Sequence, residues 1–100
     1  MRHLREPEAE LMSRLVGAAG ITADIESLLV VELQDGGMGS LGIGHDYANR
    51  EFGCQVAECE FLDWDGVVVL AALNLDQAGE LFELDIFKSD FSPTEALRQQ

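Results

Sequence analysis

The residues with the most chemistry to offer in this chain are four acids at alternate positions, Glu58 and Glu60, then Glu83 and Asp85. Residues two apart in a strand point to one face, so each pair would present two carboxylates side by side. Such groups can hold a hard cation, serve in acid/base work, or attract the basic groups of a partner. The cation reading is weak on ligand count, because Ca²⁺ takes about six to eight oxygens and no nearby loop supplies the remainder. Asp63-Trp64-Asp65-Gly66 has the opening of a calcium loop, but its glycine comes early and the terminal glutamate is missing. Asp35-Gly36-Gly37-Met38-Gly39-Ser40 lacks the Gly-Lys-Ser/Thr ending of a phosphate loop and reads as a turn that uses glycine for positive φ. His45-Asp46, with Tyr47, Arg50 and Glu51, is the loop of most varied chemistry. Cys54 and Ser40 are near it only in sequence, so no nucleophile is assigned and a polar surface loop is expected.

The two cysteines add nothing catalytic. Cys54 and Cys59, five apart in an extended segment, would sit roughly 16 Å apart at about 3.3 Å per residue, whereas a disulfide needs Cα atoms within about 7 Å. With His3 and His45 the only histidines, a zinc site has too few ligands. Two reduced thiols are expected. No cofactor is implied, and the chain is expected not to be an enzyme.

Charge is the strongest compositional fact. Nineteen acidic residues oppose six basic ones, for a net charge of −13. Such a surface repels phosphate backbones and anionic membranes and leaves a basic protein partner, or a cation, as what it could attract. The longest apolar run, Val67 to Leu73, is far short of the roughly 20 residues that span a bilayer. No apolar stretch follows the basic residues at the N-terminus, so no signal peptide is visible and a cytoplasmic protein is expected. One hundred residues, 47% of them apolar, make one domain with a core, residues 1–100.

The elements that must position these residues are an N-terminal helix and a sheet. Pro7 suits a first helical turn, Glu6, Glu8 and Glu10 favour the helix N-terminus, and Leu11, Leu15 and Ala18 or Ala19, with Met12 and Val16, form an apolar stripe; Gly17 and Gly20 signal its end. A β-rich run follows at 28–33, Leu41-Gly42-Ile43 offers a short return strand, and 44–53 reads as a loop or single helical turn. Three strands come next, at about 55–64, 67–75 and 80–88, and Ser92 to Leu97 reads as a capped turn or short helix. The predicted fold is α+β, with the helix packed on a mainly antiparallel, meander-like sheet of about four to five strands.

Turn chemistry predicts the register. Asp65-Gly66 as a two-residue loop sets Trp64 opposite Val67 and Glu58 opposite Leu73. Gln77-Ala78-Gly79 as a three-residue loop, a type I turn closed by a glycine bulge, sets Asp76 opposite Glu80 and Leu70 opposite Ile86. One face then carries Ala57, Cys59, Phe61, Val68, Leu70, Ala72, Phe82, Leu84 and Ile86, for the helix to cover. The other carries Glu58, Glu60, Glu83 and Asp85, with Ala71 and Leu73 between and Trp64, Leu62, Val67, Val69, Leu81 and Phe87 beside them.

Asn74-Leu75-Asp76, the run Gly79 to Lys88, Asp90-Phe91-Ser92-Pro93 and the glycine turn at 35–40 together resemble a family of small bacterial proteins known only as a domain of unknown function. The resemblance runs over most of the chain, including its Leu4-Arg5-Glu6-Pro7-Glu8 helix start. It implies a bacterial source and a shared fold, carries no assigned activity, and transfers no catalytic residue. In size and charge alone the chain is also similar to immunity proteins that neutralise basic toxins.

The function expected from these residues is a protein-interaction module, with a basic partner held by Glu58, Glu60, Trp64, Glu83, Asp85 and Phe87. A homodimer through the same face and a carboxylate metal site are the alternatives.

Overall fold

The structure, a computed structural model, describes residues 1–98. One long helix covers one face of a six-stranded antiparallel sheet: β1 (Arg2–His3), α1 (Glu6–Ala19), β2 (Leu29–Glu32), β3 (Leu41–Ile43), β4 (Phe52–Leu62), β5 (Val68–Asp76) and β6 (Leu81–Lys88). Short 3₁₀ turns at Ile25–Ser27 and Tyr47–Asn49 complete it. The α+β class is as predicted, but the sheet has six strands rather than four to five. Its order, β1-β2-β3-β6-β5-β4, also departs from a meander. β3 lies beside β6, and residues 44–51 carry the chain across the sheet end to β4, so β3 to β6 form a Greek key. The order cannot be read from neighbouring strands, because β3 pairs with the strand farthest from it in this set.

The apolar stripe of α1 is buried as expected as far as Val16, while Ala18 is exposed and Ala19 half-buried. Leu11, Met12, Leu15 and Val16 pack with Val30, Leu41, Ile43, Val69, Ala71, Leu73, Leu84, Ile86 and Leu97. At the helix N-terminus the buried Glu8 accepts the Arg5 N–H (2.7 Å) and both Arg2 guanidinium nitrogens (2.8 and 2.9 Å). Arg2 also reaches Glu32, which fastens β1 to β2. Gly20, at φ 70°, ends the helix, with the Ile21 N–H turned back to the Val16 carbonyl. Among the described residues no helix is long and apolar enough to cross a membrane.

The β4–β5 and β5–β6 hairpins close with the same loop. Asp76 accepts the Gly79 N–H through its carbonyl and donates its own N–H to Glu80 (3.0 and 2.8 Å), as expected. The first hairpin repeats this instead of using two residues. Gly66 donates to the Asp63 carbonyl (2.9 Å), Asp63 donates to Val67 (3.0 Å), and Gly66 and Gly79 share φ near 83°. The physical reason is that both segments read Asp-x-x-Gly, which places a type I turn before the glycine.

That one extra loop residue reverses β5 against β4. Leu62 lies opposite Val68, Glu60 opposite Leu70 and Glu58 opposite Ala72. Val69, Ala71 and Leu73 therefore enter the core, and Val68, Leu70 and Ala72 face outward. A second shift follows within the next hairpin, where Leu75 pairs with Leu81 but Asn74 with Glu83, leaving Phe82 as a bulge. Phe82 is buried, though outside the helix-side core. Its ring stacks on Tyr47 at 4.9 Å, with the Arg50 guanidinium 5.3 Å above it. The bulge reverses β6 in turn, so the two register shifts cancel between β4 and β6.

Candidate functional site

Because the shifts cancel, Glu58, Glu60, Glu83 and Asp85 do share one outward face, as predicted, but the residues between them are Ala72 and Leu70 instead of Ala71 and Leu73. Cross-strand pairing arranges this face in rows. Leu62 and Val68 form the first row. Glu60, Leu70 and Phe87 form the second, Glu58, Ala72 and Asp85 the third, and Asn74 and Glu83 the fourth, with Gly42 beyond. Two strand spacings of about 4.8 Å separate Glu58 from Asp85 across the small Ala72. Val67, Val69 and Leu81, expected here, are not part of the outward strip: Val69 is fully buried, and Val67 and Leu81 are half-buried. Trp64 sits in the β4–β5 loop at the edge of the face, 63% exposed.

The two ends of the face differ. At the loop end Leu62, Val68, Leu70 and Phe87 are exposed, and Phe91 stands edge-to-face on Phe87 at 5.2 Å. Isolated apolar residues at a surface are ordinary; a contiguous strip with two aromatics is the pattern of a contact surface. At the other end the buried Asn74 donates to both Glu83 (3.3 Å) and Asp85 (3.1 Å), leaving its Oδ1 buried and unpartnered. Tyr47 donates its hydroxyl to the second oxygen of Glu83. The ring lies over Gly42, where an added Cβ would come within 2.8 Å of it, so this position must be glycine. Burial, and then the bond to Glu83, hold the Tyr47 hydroxyl well above the ordinary tyrosine range. Tyr47 is thus a fixed, neutral donor.

Desolvation and the neighbouring Glu83 charge raise the Asp85 carboxyl above its ordinary value, against the Asn74 bond that lowers it; the charge of Asp35 adds to the rise. A carboxyl raised by folding binds its proton more tightly in the native state, so stability from this group grows as pH falls through the folded pKa and is missing at neutral pH. Asp85→Asn, which keeps an acceptor for Asn74, is expected to raise the thermal midpoint at pH 7 and to shrink the difference between pH 7 and pH 4.5. A lowered midpoint would contradict this account of Asp85.

Ser40, Asp35, Asp46 and Arg50, also singled out for chemistry, make bonds that hold the fold together. Ser40 donates its hydroxyl to the Ile86 carbonyl (3.2 Å) and accepts the Ile86 N–H (2.9 Å), which splices the start of β3 into the β6 ladder. The glycine turn is closed by Asp35, which accepts from Ser40 and Gly39, and its Gly37 carbonyl receives Thr94 N–H and the Arg98 guanidinium. It holds the C-terminal segment. In the His45 loop, Asp46 accepts from Asn49 (2.6 Å), while Arg50 spans Asp76 (2.8 Å) and the carbonyls of Ile43, His45 and Leu81. Both cysteines are free, Cys54 exposed and Cys59 half-buried. Among the described residues no three His, Cys, Asp or Glu side chains converge as metal ligands.

Asp63 and Asp65 turn out to hold a lysine. Lys88, wholly buried at the end of β6, donates to Asp63 (2.8 Å), Asp65 (2.7 Å) and the Pro93 carbonyl (3.1 Å). Asp63 also accepts the N–H groups of Trp64, Glu95 and Ala96, which ties residues 93–97 to the first hairpin and brings Leu97 into the core. Burial alone would raise the Asp63 carboxyl; the Lys88 ammonium and these N–H groups outweigh it and pull it down to about 2. The signal for this clamp was a lysine at an inward position of an apolar strand, with Asp-x-Asp at the neighbouring loop.

An α+β chain with a Greek-key sheet, one covered face and one acidic, partly apolar open face is the class defined by these features. The chain belongs to the family described as domain of unknown function DUF6984, whose model matches residues 1–98. No curated protein and no solved structure matches it.

Proposed function

We propose that this chain is a binding module that acts without catalysis and engages a basic protein through the outer sheet face, with Glu58, Glu60, Glu83 and Asp85 supplying charge and Leu62, Leu70, Phe87 and Trp64 contact area. The observation that carries the reading is the absence of compensating cations among the described residues of this face. Arg2 and Arg5 pair with Glu8 and Glu32, Arg50 with Asp76, and Lys88 with Asp63 and Asp65. Arg98 reaches Gly37, and Arg14 belongs to α1 on the covered side. A field of one sign over an apolar strip steers and then holds an oppositely charged partner. A cytoplasmic setting belongs to the same reading, and a basic toxin neutralised by the chain is one concrete form of the partner.

The exposed strip also admits a homodimer, but a two-fold interface pairs this face with itself, so any carboxylate within the contact would meet acidic or apolar residues and no cation, an arrangement that destabilises. The test uses partner captured from the native host. Charge reversal of Glu58, Glu60, Glu83 and Asp85 to Lys is expected to weaken its association by at least about tenfold, the equivalent of about 1.4 kcal/mol, and added salt to weaken the wild-type complex. Unchanged association would end the acidic-face reading. A dimeric wild-type mass in solution that Phe87→Glu converts to a monomer would favour the second reading.

A further inference from the structure

Among the described residues β4 is the last strand of the sheet and pairs on one side only, with β5. Its first half is broken by register shifts at Gly53 and Val56, which twist an edge away from further pairing. Its second half, Ala57 to Leu62, pairs without interruption.

Hydrogen-bond parity shows which backbone groups remain free there. Asp63 donates to Val67 across the hairpin (3.0 Å), so Phe61, Cys59 and Ala57 also turn their backbone groups toward β5. Val68, opposite Leu62, instead gives its carbonyl to Ser89 on the far side (3.0 Å). The N–H and C=O groups of Leu62, Glu60 and Glu58 therefore point outward from the free edge. These are the same residues whose side chains line the acidic face, so a strand added here would place every second side chain directly opposite Leu62, Glu60 and Glu58.

We infer that the free edge of β4 between Glu58 and Leu62 receives an extended basic segment of the partner as a seventh strand, with an apolar residue opposite Leu62 and Lys or Arg opposite Glu60 and Glu58. This rests on the binding reading above and adds its mode. Residues directly opposite across strands have Cβ atoms about 5 Å apart, close enough for each Glu–Lys pair to form. The intervening side chains of the incoming strand fall on the helix side, next to Phe61. There a groove of about 390 Å³ lies between α1 and the sheet, lined by Pro7, Leu11, Phe61 and Leu97 with Glu10 and Arg14 at its margin. Those intervening positions are therefore apolar. In the antiparallel sense the incoming sequence reads apolar, apolar, basic, apolar, basic. A second copy of this chain fits poorly, because two β4 edges overlapped over their full length would set Glu60 against its own copy and Glu58 against Leu62, with no cation to pair either.

The test is amide hydrogen exchange on the unmodified chain with a blocked probe peptide, Ser-Leu-Val-Lys-Val-Lys-Ser. Saturating peptide is expected to slow exchange of the Glu58, Glu60 and Leu62 amides at least about tenfold, whereas the same peptide with both lysines replaced by glutamate leaves them unchanged. Leu62→Pro removes an outward N–H without altering charge and is expected to weaken the peptide at least tenfold. Unprotected edge amides at millimolar peptide would overturn the inference. If the peptide or the captured partner perturbs Leu70 and Phe87 while the edge amides stay unprotected, strand addition falls and face binding stands. If charge reversal of the face leaves the captured partner bound, the underlying reading falls instead.

Discussion

Asp63→Ala is expected to lower the thermal midpoint by about 15 °C or more, because it leaves the Lys88 ammonium in the interior without its closest buried partner. Breaking a buried ion pair from one side costs about 3–5 kcal/mol, and a domain of this size loses roughly 4–8 °C per kcal/mol. Lys88 is wholly enclosed, Asp63 nearly so, and Asp63 alone accepts three backbone N–H groups besides the lysine. Lys88→Met should approach the same loss, since it strands Asp63. Asp63→Asn, which keeps an acceptor, should lose less, and Asp65→Asn least, because the Asp65 side chain is half exposed. Amide exchange locates the effect: in Asp63→Ala the Glu95 and Ala96 amides should exchange as free peptide. Thermal midpoints that leave the four variants indistinguishable would remove the clamp from this account.

The same group sets the acid limit. Asp63 is pulled down to about 2 in the folded chain, against about 3.9 unfolded. A depressed carboxyl contributes stability that is present above about pH 4 and lost as pH falls toward 2. The wild-type midpoint should therefore fall steeply between about pH 4 and pH 2, and Asp63→Ala should flatten that slope.

The second large effect is at Arg50, whose Ala variant is expected to lose about 10 °C in the same measurement, at roughly 4–8 °C per kcal/mol. One guanidinium joins Asp76, on β5, to the carbonyls of Ile43, His45 and Leu81, and covers Phe82. It latches the segment that crosses from β3 to β4. Arg50→Lys should rescue little, because an ammonium is a compact point charge and cannot reproduce a planar fork with donors in several directions. Tyr47 stacks on the same Phe82, so loosening Arg50 should also free the Tyr47 ring, visible as a change in its fluorescence or ring resonances. Full rescue by lysine would show that charge alone, and not the fork, holds the crossing.

How much of this was legible in the residues depends on how far apart the interacting groups are in the chain. The helix was, from Pro7 to Gly20, because its stripe and its ends are local. The second hairpin loop was too, because Asp76 to Gly79 specifies its own turn. The first was misread although Asp63 to Gly66 carries the same Asp-x-x-Gly spacing; a two-residue Asp-Gly reading competed with it, and one residue exchanges both faces of a strand. The bulge at Phe82 left no local mark, since it is stabilised by Tyr47 and Arg50, more than thirty residues away in sequence. The placement of β3 beside β6 and the burial of Lys88 are of the same kind. Both depend on partners brought in by the whole fold.

By itself the amino-acid sequence determined the strong negative charge, the helix and the α+β class. The co-facial set Glu58, Glu60, Glu83 and Asp85 agrees with its expected register only because two shifts, one at the first loop and one at the Phe82 bulge, cancel across β5. Tertiary structure alone decided which residues lie between those acids, that all the paired cations are spent elsewhere, and that β4 ends the sheet with free backbone groups. Periodicity reports which residues share a side of one element. Which element lies next to it, and which edge is left open, follows from long-range packing and hydrogen bonding that no local pattern encodes.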